Sequence, residues 1–217
     1  MKEYVINAKG MEEKELNRTI KEQSAFHDKL IIKNPESKHN MCAGLIEDVE
    51  IEIDGSAGYF VGTMVNGPNI HINGNAGWFA GDNMTKGELI IEGTAGDGAG
   101  QGIYGGTVIV KGSTGSRTGE IMKGGTVIIG GNSGYMTGLL MMGGKLIILG
   151  DVTDDVGESI MRGTIYVLGE IKSLGKNAVM KKTTLEDQKE LKEILSRYGF
   201  DLTDIDYTNF KKIVNIQ

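Results

Sequence analysis

The chain has 217 residues, of which 34 are glycine, 2 proline and 6% aromatic, a profile that suits neither a helical bundle nor a disordered tail and points to tightly turned β structure. A formal charge of -6 without any run of Lys or Arg excludes the electrostatic footprint of a nucleic-acid binder. No stretch approaches the roughly 20 apolar residues of a membrane span, and the start "MKEYVINAKG" lacks the apolar core of a signal peptide. A cytoplasmic protein with no nucleic-acid or membrane partner is therefore expected. The single Cys42 excludes an internal disulfide or a cysteine-built metal cluster and reads as a buried thiol.

Residues 1–44 read as a capping segment. "VINAKGMEEKELNRTIKEQ" predicts a short strand and then a charged helix with Leu16 and Ile20 on one side, suited to covering the first rung of whatever follows.

Residues 45–170 carry the dominant pattern. Gly55, Gly74, Gly93, Gly112, Gly131, Gly150 and Gly169 stand 19 residues apart with no insertion. Further glycine columns share that register: Gly58 to Gly134 three residues after each anchor, Gly62 to Gly157 seven after, and Gly87 to Gly163 six before. The residues four and two before each anchor are apolar, as in Ile70/Ile72, Leu89/Ile91 and Val108/Val110, which is the alternation of a half-buried strand. A unit of 19 residues is too short for a strand–helix–strand crossover. It predicts an all-β, single-stranded parallel β-helix in which each repeat is one coil and equivalent residues stack about 4.8 Å apart. Glycine is expected at corners where φ is positive or backbones nearly touch.

Other columns follow from stacking. Ala57, Ala76, Ala95, Thr114 and Ser133 are predicted to point into the coil, and Met64, Met84, Ile103, Met122, Met141 and Ile160 to form an inner apolar ladder with one slip at the first coil. Ile90, Ile109, Ile128 and Ile147, on the opposite strand face, require a cover from a partner or a terminal segment. Tyr59 and Trp78 share a column, as do Phe60 and Phe79, and Arg117 stands in the second of these. These rings either stabilise the coils or form a partner patch, with Arg117 meeting an acidic partner group or Asp97. Asp82, Gln101, Glu120 and Glu158 form a polar edge whose carboxylates, two rungs apart, have a spacing near that of an inverting glycosidase. "GQGIYG" at residues 100–105 matches a dinucleotide fingerprint but leads into a strand, so it reads as part of the repeat. His27, His39 and His71 lack metal-ligand spacing and read as ordinary polar residues.

Residues 171–217 read as a helical tail. "TTLEDQKELKEILSRYGF" predicts a helix capped by Thr184 with Asp187 three residues on, an apolar face of Leu191, Ile194, Leu195 and Tyr198, and a stop at Gly199. The final "DYTNFKKIVNIQ" either packs back or docks on a neighbour.

The GxxGxxxG coils on a 19-residue period resemble the GXGXG-motif family, found as the C-terminal domain of the glutamate synthase large subunit and as one of the subunits of formylmethanofuran dehydrogenase. "INAKGMEEKELNRTI" and "GSRTGEIMKGGTVIIGGNSGYMTGLLMMGG" are most similar to the glutamate synthase type, in the form encoded as a separate polypeptide. The resemblance implies a right-handed β-helix with no catalytic, cofactor-binding or metal-ligating residue of its own. It implies a scaffold subunit that assembles amidotransferase and flavin-binding synthase chains, with FMN and iron–sulfur clusters in those partners. Tyr59, Trp78, Phe79 and Arg117 are the partner-binding candidates. The alternatives are the β-helical subunit of a formylmethanofuran dehydrogenase-like complex and, in another class, a carbohydrate-active β-helix enzyme; self-association of the chain stays open.

Overall fold

The computed structural model describes residues 2–200 and 205–216. Eleven strands form one sheet in the order β1-β2-β3-β4-β5-β6-β7-β8-β9-β11-β10. Nine of them follow chain order: β1 (Glu3–Asn7), β2 (Lys29–Lys33), β3 (Glu50–Asp54), β4 (Asn66–Ile72), β5 (Lys86–Ile91), β6 (Thr107–Val110), β7 (Lys123–Ile129), β8 (Met142–Ile148) and β9 (Arg162–Val167). Each is parallel to its predecessor, and from β3 onward the partners are 19 residues apart, as in Ile51↔Ile70, Leu89↔Val108 and Val127↔Leu146, except at register shifts where strands begin, such as Asn66↔Lys86. This is the stacked-coil solenoid that the glycine spacing predicts.

Alternate strand residues point into the coil and are wholly buried, giving two continuous aliphatic ladders such as Leu89–Val108–Val127–Leu146–Ile165. Ala57, Ala76 and Ala95 line the interior as expected. In the next two coils the same space holds hydroxyls, and these satisfy one another. Thr118 donates to Thr114 Oγ1 (2.8 Å), Ser133 donates to Thr118 Oγ1 (3.0 Å), and Thr137 donates to the Gly134 carbonyl (2.9 Å). A closed network of this kind avoids the cost of roughly 1–3 kcal/mol that each unpaired buried hydroxyl would carry. The methionine ladder needs one correction. Met64 is 62% exposed, and Val65 takes its inner place below Met84, because the residue nine after each anchor has a left-handed backbone that turns its side chain outward.

The anchor glycines answer to the second of the two expected reasons, close backbone approach. Of the seven, only Gly55 has a positive φ. The others are required by proximity: a Cβ on Gly74 would lie 2.7 Å from the carbonyl carbon of Gly55 in the coil below. Positive φ belongs to other columns, such as Gly144 (φ +81), where a Cβ would also meet the Gly124 carbonyl oxygen at 2.5 Å.

The N-terminal segment joins the stack rather than only covering it. β1 and β2 pair in parallel, β2 continues into β3, and Met41, Cys42 and Leu45 belong to the same core. Helix α1 (Glu13–Ser24) lies between β1 and β2 and buries Leu16 and Ile20. At the other end, the tail packs back on the chain. β10 (Ala178–Lys182) and β11 (Lys211–Asn215) turn the sheet antiparallel, with β11 between β9 and β10.

Helix α2 (Leu185–Arg197) covers the outer ladder. It begins at the predicted cap, where Asp187 N–H donates to Thr184 Oγ1 (3.2 Å) and Thr184 N–H returns a bond to the Asp187 carboxylate (2.7 Å). Leu191, Leu195 and Phe210, from the segment after the helix, pack on Ile109, Ile128, Ile147 and Tyr166. The same carboxylate of Asp187 accepts from Tyr166 (2.6 Å) and from Lys212 (2.7 Å), locking helix, sheet and β11 together. Burial alone would raise the Asp187 pKa, yet the bonds from Lys212, Tyr166 and Thr184 outweigh it and hold the group below the ordinary carboxylate range. No helix among the described residues is long and apolar enough to cross a membrane.

Candidate docking surface

Each coil closes through a turn with three left-handed residues, five, seven and nine after the anchor. In the Gly55 coil these are Phe60 (φ 58), Gly62 (φ 67) and Met64 (φ 55). The backbone lattice imposes this shape: Phe60 N–H donates up to Trp78 O (2.9 Å), Gly62 N–H down to Met41 O (2.9 Å), and Met64 N–H up to Asp82 O (2.8 Å). The middle position is glycine because its φ is positive and, in later coils, strand side chains press against it: a Cβ on Gly81 would lie 2.6 Å from Val108 and one on Gly138 2.4 Å from Ile165. The flanking positions carry their side chains on the surface. A left-handed L-residue costs roughly 1–2 kcal/mol, yet the chain places Phe60, Phe79, Arg117, Ile121, Met136 and Leu140 there.

Those turns build a continuous edge along the solenoid. Five of the fourteen exposed large hydrophobic side chains among the described residues lie on it, Tyr59 (40%), Met64, Trp78 (49%), Tyr135 and Leu140, which makes it the surface where exposed apolar side chains recur from coil to coil. Tyr59 and Trp78 stack with centroids 5.0 Å apart and planes within 5°, and Phe60 and Phe79 stack at 5.0 Å and 20°. Glycines of the next coil seat the rings. A Cβ on Gly77 or Gly96 would collide with the ring of Tyr59 or Trp78 respectively, and one on Gly98 with Phe79. The rings thus lie face to face or on glycine backbone, and they present their edges.

The structure brings three of the four partner-binding candidates together. Tyr59, Trp78 and Phe79 form one aromatic surface, while Arg117 stands two coils beyond Phe79 with Gly98 between them. Arg117 does not engage Asp97. Its Nε is 4.0 Å from Glu120, and Asp97 instead accepts from Ser116 N–H at 2.8 Å. A fifth ring is not evident from the sequence: His39 stacks on Tyr59 at 4.5 Å and 16°, and its Nδ1 accepts the Tyr59 N–H at 2.9 Å. It precedes Tyr59 by 20 residues rather than 19, so it falls outside the repeat columns.

The acidic edge serves the turns. Asp82 is buried and accepts from Thr63 Oγ1 (3.1 Å) and Asn83 Nδ2 (3.0 Å). Glu158 accepts from Lys176 N–H (2.6 Å) and from Ser159 Oγ (2.9 Å), and the first of these bonds leads in lowering its pKa. Gly100 and Gly102 of "GQGIYG" are turn residues with positive φ that lead to β6, and no helix follows them. Burial pushes the Cys42 thiol up to about 12, which makes it a poor nucleophile. His71 pairs with Glu92 at 2.6 Å. No group of three or more His, Cys, Asp or Glu side chains among the described residues could hold a metal ion. A groove of about 540 Å³ lies between the sheet and the end of α2. Its charges are engaged: Lys86 with Asp48 (2.9 Å), Glu50 with Asn69 (2.8 Å) and Glu88 with Tyr198 (2.7 Å).

Fold and edge together define a glycine-cornered parallel solenoid with a stacked aromatic surface. The profile of the GXGXG motif matches residues 12–214, and the chain belongs to that family, which is the family of the glutamate synthase C-terminal domain. No individual curated protein matches the sequence.

Proposed function

We propose that this chain is a non-catalytic scaffold subunit of a glutamate synthase-type oxidoreductase, which holds amidotransferase and flavin-binding synthase chains together for glutamate biosynthesis in the cytoplasm. FMN and iron–sulfur clusters reside in those partner chains. The observation that carries this reading is the family match across residues 12–214. The exposed stack of Tyr59 and Trp78 supports it, since rigid aromatic anchors are the usual centres of protein interfaces. Proximity explains how a scaffold contributes: it fixes the relative position of the chains that carry the chemistry.

The carbohydrate-active reading has less to stand on. Asp82 and Glu158 spend their oxygens on turn hydrogen bonds, and the aromatic rings offer one another the faces on which a sugar would stack. The test is affinity purification of the tagged chain from its native cells. Co-elution of flavin and iron–sulfur polypeptides with glutamine-dependent glutamate formation is the expected result. Co-elution of a molybdopterin or tungstopterin chain would move the assignment to a formylmethanofuran dehydrogenase-like complex.

A further inference from the structure

The aromatic edge of the first coils has a second, separate counterpart. The Gly131 coil shows a band of Tyr135, Met136, Leu139, Leu140 and Met142 on the same turn edge, with Tyr135 44% and Leu140 37% exposed. Met136 (φ 55) and Leu140 (φ 53) hold left-handed positions that other coils fill with Gly98, Asp155, Asn83 and Gly102 as well as with Phe79, Arg117 and Ile121, and the Gly131 coil is the one from Gly93 onward that has an apolar side chain at both. Bulky apolar residues at exposed, unfavourable positions contribute little to folding the coil and point to a binding role.

The flanking coils carry opposite charge in one column. Five residues after their anchors stand Arg117 in the coil before the band and Asp155 in the coil after it, with φ of 57 and 58. The three coils are in direct register, as Arg117 N–H donates to Tyr135 O (2.7 Å) and Met136 N–H to Asp154 O (3.0 Å). Arg117 has only Glu120 at 4.0 Å, and Asp155 forms no salt bridge among the described residues. Within its own copy Asp155 is hydrogen-bonded by the neutral Tyr135 hydroxyl, whose pKa is raised by burial first and then by this carboxylate, so its negative charge is not neutralised there.

Positive, apolar, negative, read along the solenoid axis, is a self-complementary sequence. We propose that the Gly131 coil is the centre of a twofold interface with a second copy of this chain, the two solenoids antiparallel and meeting edge to edge. Under that symmetry the apolar bands of the two copies face each other, and Arg117 of each copy meets Asp155 of the other, once on either side of the axis. Glu120 and Glu158 would also be opposed. Glu158 is held by Lys176 N–H and Ser159, and Glu120 lies beside Arg117, so both negative charges are partly compensated within each copy. The aromatic surface of Tyr59 and Trp78 lies three and more coils away and stays free, so the dimer presents two such surfaces to other chains.

The experiment is sedimentation velocity of the full chain at micromolar concentrations, with variants chosen to keep the coil. Leu140→Asn copies Asn83 of the same column, while Arg117→Asp and Asp155→Arg exchange residues that their shared column already accepts. Wild type is expected to sediment as a dimer. Leu140→Asn should shift it to monomer without unfolding the coil, as far-UV circular dichroism would show, each charge reversal should weaken it about tenfold, and the Arg117→Asp/Asp155→Arg double variant should recover it. A wild-type monomer overturns the proposal, as does a dimer indifferent to these changes or a charge-swapped double variant that remains monomeric. A monomer that still captures catalytic chains would overturn the dimer and leave the scaffold reading standing.

Discussion

The outer face of the one sheet is two different surfaces. In the first coils its central column is Ile31, Glu52 and His71, with Glu52 paired to Lys29 (2.9 Å) and His71 exposed to water. In the later coils the same column is Ile109, Ile128, Ile147 and Tyr166, all buried under α2 and Phe210. The backbone is the same in both halves, so the difference lies wholly in what covers the column. In a solenoid the outer ladder records its neighbour, and here the neighbour is the chain's own C-terminal helix. This removes the outer aliphatic ladder from the surfaces open to partner chains and leaves the turn edge as the docking candidate.

The largest effect should come from charging the covered half. Ile128→Asp places an unpaired carboxylate under α2 and is expected to cost about 4 kcal/mol, whereas His71→Asn, 57 residues earlier in the same column, gives up only an exposed pair with Glu92 and should change stability by under about 1 kcal/mol. Urea denaturation of the two variants measures both. Asp187→Asn strands Lys212 and should cost about 3 kcal/mol.

That carboxylate also sets a pH dependence. The folded pKa of Asp187 is depressed, so its contribution is complete above the unfolded value of about 3.9 and declines as pH falls below it toward the folded pKa. Acid titration of stability should therefore show a loss below about pH 4 that is smaller in Asp187→Asn, and an identical acid limb in both proteins would contradict the role assigned to the residue. The smallest effect is a gain. Leu140→Asn relieves a left-handed leucine and should stabilise the coil by about 0.5–1 kcal/mol, measured with the chain held monomeric.

Much of the fold is legible in the residues because a 19-residue period with no insertion leaves few architectures. The need for a cover over Ile109, Ile128 and Ile147 is legible from apolar residues on both strand faces, and the helix that meets it from the box of Thr184 and Asp187. Other features are not encoded by residue type. The left-handed backbone of Ile121 or Arg117 is imposed by the hydrogen bonds to adjacent coils, and nothing in an isoleucine or arginine announces it. The anchor glycines look like turn residues, but they answer to the distance between coils. The antiparallel closure by β10 and β11 rests on pairing between strands separated by α2, which no local pattern reveals. In the candidate surface, the columns lead to Tyr59, Trp78 and Phe79, while His39 is hidden by one extra residue in its coil.

The most direct test of the scaffold account is hydroxyl-radical footprinting of this chain, free and in the complex isolated from its native cells. Docking through the turn edge predicts strong protection of Tyr59 and Trp78 on assembly, with His71 on the open sheet face oxidised equally in both samples. Protection of His71 with Tyr59 and Trp78 unchanged would contradict it.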